Sequence, residues 1–168
     1  MKHQQGLILI ELIAVIVLTG IIATFTSFFL YTGLNGYLNA KNALEGAIKA
    51  QTALDRLTLE LRNISYFTSA PTATSVSYRS MDLRLPGSRT LQYQTGTGTG
   101  EILISVDGAD YLLLNNVSSF DDFNFTYLNL NEDPLVDEVA AIRIGFNVAG
   151  VGKEFKTQIF PRNLVEKK

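Results

Sequence analysis

The sequence contains no cysteine and a single histidine, His3. Without cysteine, the chain can form no disulfide bond, no thiol nucleophile and no thiolate-bound metal site. One histidine cannot supply a serine–histidine triad or a cluster of imidazole ligands. We therefore expect no catalytic residues, no metal ion and no cofactor. A membrane-tethered hydrolase is the weakest functional hypothesis.

Charge is sparse and nearly balanced, with 14 basic and 16 acidic side chains and a net charge of −2. Bulk electrostatics therefore indicates neither nucleic acid nor an acidic membrane surface as a partner. The 168 residues suffice for one domain with a real core. In the absence of disulfides, packing alone must stabilise that domain.

An apolar segment, residues 7–30, is long enough to cross a bilayer, which takes about 20 apolar residues. Threonine hydroxyls within it can bond back to helix carbonyls. Lys2 precedes the segment and the next cationic residue is Lys41, so the positive-inside rule places the N-terminus in the cytoplasm. Glu11 is the anomaly, because a carboxylate inside lipid is costly and is usually functional.

Helical spacing continues through residues 31–66, and no proline interrupts it before Pro71. We predict that this half of the helix is amphipathic and packs on a partner surface. The predicted packing residues are Leu44, Ile48, Leu54, Leu57, Leu61 and Ile64. Arg56, Glu60 and Arg62 are expected on other faces, where i,i+4 pairs that keep the helix soluble are favoured over contact with a neighbouring subunit.

From residue 67 to 168 the period of the apolar residues changes to two, which predicts an antiparallel sheet with one buried face. The alternating segments are Met81–Leu85, Leu91–Tyr93, Ile102–Val106, Phe123–Tyr127, Ile142–Val148 and Phe155–Ile159. The GTGTG sequence at Gly96 is followed by a strand pattern, so it indicates a hairpin connection and not a phosphate loop. A long helix followed by a sheet predicts an α+β fold.

Three other patterns are weighed against ordinary structural roles. The stretch NLNEDPLVDE after Asn129 is oxygen-rich, but Pro134 and Ala140 break the calcium-loop template, so a solvated loop is favoured. Aromatic side chains are expected in the sheet core; they are Tyr111, Phe120, Phe123, Phe125, Tyr127 and Phe146. Arginines interleaved with tyrosines could contact single-stranded DNA, which the acidic net charge disfavours; they are Arg79, Arg84 and Arg89, with Tyr78 and Tyr93.

The opening sequence MKHQQGLILIELIAVIVLTGIIA resembles the N-terminal signal of type IV pilins and type II secretion pseudopilins. In that family a short basic leader ends in glycine, and a glutamate follows the first mature residue by four positions. Gly6 matches the last leader residue, Leu7 the first mature residue and Glu11 the glutamate. The resemblance is specific over residues 1–30. The rest fits the pilin-like layout of a long helix on a sheet.

The resemblance implies that prepilin peptidase removes residues 1–6 and that the new amine on Leu7 is N-methylated. It also implies that Glu11 pairs with the amine of a neighbouring subunit, which specifies register more than strength because a buried ion pair adds little net stability. The implied partners are an inner-membrane assembly platform, the major subunit and other minor pilins or pseudopilins. The implied location is the bacterial inner membrane, single pass, with the C-terminal domain periplasmic or extracellular.

Two segments favour a minor subunit of the J-type pseudopilin kind within this family. LDRLTLELRN, residues 54–63, resembles the arginine-containing helix end of that group, and FKTQIFPRNL, residues 155–164, resembles its final strand. The alternative hypothesis is a signal-anchored extracytoplasmic binding or adhesion domain, in which Glu11 reaches the headgroups. The sequence leaves open whether the filament serves secretion, a pilus or DNA uptake.

Overall fold

The computed structural model describes residues 4–85, 87–129, 137–163 and 165–166, with side chains of the first helix described from Leu9 onward. One helix, α1, spans Gln4–Arg62. The chain divides into two compact units, unit 1 at Met1–Asn42 and unit 2 at Ala43–Lys168. The side chains of Gly6 and Leu7, the predicted processing residues, lie outside the described part of the chain.

Seven strands follow the helix within the described residues, and each pairs antiparallel with the next in the sheet order β1-β2-β3-β4-β5-β6-β7. They are β1 Ile64–Phe67, β2 Ser75–Ser80, β3 Ser88–Thr95, β4 Gly100–Val106, β5 Ala109–Leu128, β6 Glu138–Val148 and β7 Glu154–Ile159. The predicted α+β class, with one long N-terminal helix and an antiparallel sheet, is therefore confirmed.

The helix ends at Arg62, earlier than the predicted residue 66. Asn63 follows in a turn, where its N–H donates to the Glu60 carbonyl at 3.2 Å. Ile64, predicted as a helix packing residue, is instead the first residue of β1, where it is fully buried. β-Branched and aromatic residues favour strands, and ISYF consists largely of them. The predicted boundary between residues 66 and 67 is therefore wrong, because the sheet begins at Ile64.

The predicted strand Met81–Leu85 is also wrong, because this segment connects β2 to β3. The side chain of Asp82 accepts a hydrogen bond from the Arg84 N–H at 2.9 Å. Its carbonyl accepts another from the Leu85 N–H at 2.9 Å. Such local bonds from aspartate stabilise a turn, and they leave Leu83 96% exposed. The other alternating segments lie in β3 to β7 as predicted.

Residues 96–99 connect β3 to β4, as predicted for GTGTG, and Gly100 is the first residue of β4. The N–H of Gly96 donates to the Thr99 carbonyl at 3.1 Å, which closes the turn. Gly98 adopts φ 98°, a conformation that glycine reaches without strain. The segment is therefore the turn of a β-hairpin.

The core of unit 2 lies between one face of the sheet and the helix from Ala50 to Leu61. Ring contacts join the strands that curl around it, with Phe67 edge-on to Phe125 at 5.7 Å between ring centroids and Tyr93 stacked on Phe120 at 4.7 Å. Of the aromatics predicted in the core, five are buried or packed against it, but Tyr111 is 57% exposed. Its prediction is wrong: Tyr111 lies at the start of β5, where its neighbour Leu112 is also exposed, at 54%.

Candidate assembly surface

The helix in unit 1 exposes its apolar side chains on every side. From Leu9 to Leu38 the large apolar side chains are between 43% and 78% exposed. This helix is long and apolar enough to cross a membrane, by length and composition. A single membrane-spanning anchor at the N-terminus is what these properties support, and no other described helix has them.

Threonine hydroxyls along this helix are satisfied within it. The hydroxyls of Thr19, Thr24 and Thr26 each donate to the carbonyl four residues earlier, at distances of 2.7, 2.8 and 2.9 Å. These bonds confirm the prediction that the hydroxyls bond back to the helix. They remove most of the cost of placing threonine in lipid, where no water is present to pair with the hydroxyl.

Glu11 lies exposed among apolar neighbours on the same helix. Among the side chains described from Leu9 onward, none forms an ion pair or hydrogen bond with its carboxylate. A carboxylate at the centre of a bilayer costs about 2.5–3.5 kcal/mol on insertion scales. A group that offsets this cost must therefore come from outside the described part of the chain.

In unit 2, the predicted helix packing residues divide into two groups. Leu54, Leu57 and Leu61 are buried against the sheet, at 8%, 0% and 0% exposure, so their prediction is confirmed. Leu44 and Ile48 are exposed, at 63% and 57%, so theirs is wrong.

Small residues face the sheet where Leu44 and Ile48 were predicted to pack. Ala50 and Ala53 are buried at 0% and 2% exposure, and Gly46 approaches Val151 so closely that an added Cβ would lie 2.8 Å from its side chain. At about 100° of rotation per residue, the buried face is turned by roughly 60° from the predicted one. Leu44 and Ile48 therefore contribute little of the about 1.5–3 kcal/mol that full burial of a leucine or isoleucine is worth.

An ionic cluster lies at the edge of the buried helix face, centred on Glu60. Its carboxylate is 1% exposed and accepts two hydrogen bonds from the Arg89 guanidinium, from Nε at 2.9 Å and from Nη2 at 2.8 Å. The Tyr78 hydroxyl donates to the same carboxylate at 2.7 Å. Arg56, one turn earlier on α1, approaches it at 2.6 Å. The cluster therefore ties the helix to β2 and β3.

Burial raises the pKa of the Tyr78 phenol well above its usual value, and the negative charge of Glu60 raises it further. The phenol thus stays neutral and keeps its proton for the bond to Glu60. For the Arg89 guanidinium, burial lowers the pKa, but its hydrogen bonds and attraction to Glu60 outweigh burial and raise it. The cluster holds one carboxylate between two guanidinium groups at neutral pH, and Arg56 is the partner that remains partly exposed.

One prediction about this cluster is wrong: Glu60 is buried and does not lie on a solvated face, and only its i,i+4 contact with Arg56 is confirmed. Contact of Arg89 with single-stranded DNA, which the net charge disfavours, is also opposed by the structure, because Arg89 is 4% exposed and turned toward Glu60. Tyr78 and Arg89 lie 18 and 29 residues from Glu60 in the sequence, a separation that no local pattern reveals.

A polar groove of about 600 Å³ lies on the outer face of β5, β6 and β7. Its floor is Gly145, whose added Cβ would lie 2.6 Å from the Asp121 carboxylate. Asp121 and Asp122 form one side, and Lys156, paired with Glu154 at 2.8 Å, forms the other. Within the described ranges, no group of three or more His, Cys, Asp or Glu side chains could hold a metal ion.

Part of the oxygen-rich stretch after Asn129 lies outside the described residues, including Asn131, Glu132 and Asp133. At its end, Asp137 is exposed and Glu138 is buried at the start of β6. The described part therefore contains one exposed and one buried carboxylate.

No protein-family model, curated protein or solved structure matches this chain. The resemblance to pilins and pseudopilins thus rests on the opening residues of the sequence, and the described structure contributes the α+β layout and the apolar helix.

Proposed function

We propose that the chain is a minor pilin-like structural subunit of a type II secretion or type IV pilus filament. It is processed by prepilin peptidase between Gly6 and Leu7 and then held in the inner membrane by its apolar helix. It acts mechanically, by packing beside the major subunit and other minor subunits on an assembly platform. No catalytic residue is assigned to it.

Glu11 is the observation that carries this proposal. It is exposed on a membrane-length helix, and no described side chain pairs with it. Cleavage after Gly6 would create a free amine on Leu7. A neighbouring processed subunit can bring this cation to Glu11. An unpaired buried charge is strongly penalised, so this pair would fix the axial position of one subunit against the next.

Processing can be tested by mass spectrometry of the chain extracted from membranes of cells with active prepilin peptidase. We expect an N-terminus at Leu7, and a Gly6→Leu variant that keeps Met1. An unmodified chain that also begins at Met1 would contradict the assignment to this family.

The role of Glu11 can be tested by Glu11→Leu, which should leave membrane insertion intact because it removes a polar group from lipid. Cross-linking to neighbouring subunits should fall, since the neighbour's amine has lost its carboxylate. Thr19→Leu is the matched control, because it changes a polar residue of the same helix without removing charge. Equal cross-linking in all three proteins would favour a plain membrane anchor.

Two segments support the minor position, and they lie together. The Arg162 N–H donates to the Arg62 carbonyl at 3.0 Å, and the Asn163 amide donates to the Ser65 carbonyl at 3.3 Å. The first contact joins LDRLTLELRN to FKTQIFPRNL, the two sequences that resemble J-type pseudopilins, and the second joins the latter to β1. Quantitative mass spectrometry of purified filaments should find this chain far below the main subunit. A chain that forms the bulk of the filament would refute the minor role.

The groove on the outer face of β5 to β7 favours a second function, that of a signal-anchored binding or adhesion domain. It places the carboxylates of Asp121 and Asp122 and the Lys156–Glu154 pair around a glycine floor. Replacement of residues 1–30 by an unrelated membrane anchor separates the two functions. A binding domain would keep its activity in the chimera, whereas a filament subunit would lose it.

A further inference from the structure

We propose that the groove on the outer face of β5 to β7 binds a lysine-type zwitterion. The ammonium and carboxylate groups of such a ligand lie about 7 Å apart, the rise of two strand residues. Asp121 and Asp122 hold the ammonium group, and Arg143 holds the carboxylate group. The inference names the ligand class of the groove and does not depend on the filament role, because the site belongs to the fold of the single chain.

A β-bulge in β5 places two carboxylates side by side on this face. Between Asp121 and Asn124, three residues of β5 advance against two residues of β6. In a regular strand, consecutive side chains point to opposite faces of the sheet. The extra residue breaks this alternation, so Asp121 and Asp122 are both exposed, whereas Phe123 is 4% exposed in the core. Bulges of this kind re-aim side chains next to functional sites.

Gly145 lets one of these carboxylates reach across the sheet. It lies inside β6, paired with Asp121 on one side and with Lys156 on the other. Glycine weakens the interior of a strand and often marks a place that another group approaches closely. Here an added Cβ would lie 2.6 Å from the Asp121 carboxylate, so that carboxylate occupies the space of the missing side chain. The carboxylate therefore lies above β6, in the floor of the groove.

Arg143 supplies the opposite charge on the same strand. It lies two residues from Gly145, so its side chain leaves the same face of β6 about 7 Å farther along. Its Nε donates to the Gln158 side chain at 3.0 Å, a neutral partner. Among the side chains that the structure describes, no ion pair joins Arg143 to Asp121 or Asp122. Opposite charges thus line one groove without neutralising each other.

The second cation of the groove has a carboxylate of its own. Lys156 pairs with Glu154 at 2.8 Å, and the pKa of this lysine is raised mainly by Glu154, with a smaller contribution from Asp121. With this pair set aside, two carboxylates and one guanidinium remain around a volume of about 600 Å³. A ligand with one ammonium and one carboxylate group is complementary to that arrangement at both ends.

The affinity follows from the exposure of the groove. Asp121 and Arg143 are positioned by their neighbours before a ligand arrives, so little side-chain freedom is lost on binding. Exposed ion pairs are individually weak. We therefore expect a Kd on the order of 1 mM for a small ligand.

The minimal probe is 6-aminohexanoate, in which five methylene groups separate the ammonium from the carboxylate. The full chain in detergent micelles is labelled with ¹⁵N-glycine and with isoleucine that carries ¹³C in its carbonyl group. Among the 13 glycines, only Gly145 follows an isoleucine, so the two labels identify its amide signal directly. We expect this signal to shift saturably during the titration, while the other glycine signals stay in place.

Charge removal tests each end of the site. Asp121→Asn with Asp122→Asn should weaken binding about tenfold, since the ammonium group loses its charged hydrogen-bond acceptors. Glu101→Gln is the matched control, because it removes an exposed carboxylate of β4 that does not line the groove. Pentylamine, which lacks the carboxylate, should bind the native chain more weakly than 6-aminohexanoate does. In Arg143→Gln the two probes should bind equally, a result that a general loss of structure would not produce.

Free L-lysine and N-acetyl-glycyl-lysine, which ends in a free carboxylate, then distinguish a free amino acid from the end of a polypeptide as the source. Three results would overturn the proposal: no saturable shift at Gly145, unchanged binding after both aspartates are replaced, or equal binding of pentylamine and 6-aminohexanoate to the native chain. None of them depends on processing at Gly6 or on filament assembly, so failure here is distinct from failure of the proposed function.

Discussion

Replacing Arg89 alone should destabilise unit 2 far more than its place on a β-strand would suggest. Arg89→Met preserves much of the side-chain volume but removes two hydrogen bonds to Glu60, at 2.9 and 2.8 Å. The carboxylate stays where it is, 1% exposed. The variant thus buries a charge that has lost its principal partner.

The magnitude follows from what remains around Glu60. Removal of one partner of a buried ion pair costs about 3–5 kcal/mol. Tyr78 and Arg56 still contact the carboxylate, at 2.7 and 2.6 Å, so we expect the lower end of that range. A loss of about 3 kcal/mol is a large fraction of the roughly 5–15 kcal/mol that stabilises a typical domain. It should lower the melting temperature by about 10–15 °C.

Thermal unfolding can be followed by the near-ultraviolet circular dichroism of the seven tyrosines, since the chain has no tryptophan. Arg56→Met is the control: its side chain is 42% exposed, so its loss should cost less than about 1 kcal/mol. The double variant Glu60→Leu with Arg89→Met should recover most of the stability lost by Arg89→Met. Equal small effects of Arg89→Met and Arg56→Met would refute the reasoning, as would a double variant less stable than Arg89→Met.

Three further outcomes can be measured on the same chain. The raised pKa of Tyr78 means that the unfolded state releases this proton near pH 10 while the folded state retains it. Stability should therefore be fully present below pH 10 and fall above it by up to about 1.4 kcal/mol per pH unit; a Tyr78→Phe variant with an unchanged alkaline slope would contradict this. Leu57→Ala, at a fully buried position, should cost about 2–5 kcal/mol in urea unfolding. Leu59→Ala, at a position 55% exposed, should change stability by less than about 0.5 kcal/mol, and equal costs would show that the helix faces are misassigned. Ile48→Ser should leave stability unchanged but reduce cross-linking to neighbouring subunits, and a loss of stability without loss of cross-linking would place Ile48 in the core.

Local sequence patterns predict the structure correctly where neighbouring residues alone determine it. The apolar run before Leu30 predicts a membrane-length helix because helix formation and lipid exposure depend on consecutive side chains. The alternation from Ile142 to Val148 predicts β6 because one face of a strand meets the core at every second residue. Met81–Leu85 shows the limit of such patterns: the same alternation occurs there, but hydrogen bonds to Asp82 form a turn.

By itself, the sequence determined the apolar, membrane-length helix, the place of Glu11 within it, and the α+β class. Only the tertiary structure decided which side of the helix meets the sheet. Glu60 is a surface residue by any local criterion, and it is buried because Tyr78 and Arg89, on strands distant in sequence, supply its hydrogen bonds. A charge can enter a protein interior only where such partners are already in place. Their arrangement is a property of the assembled sheet.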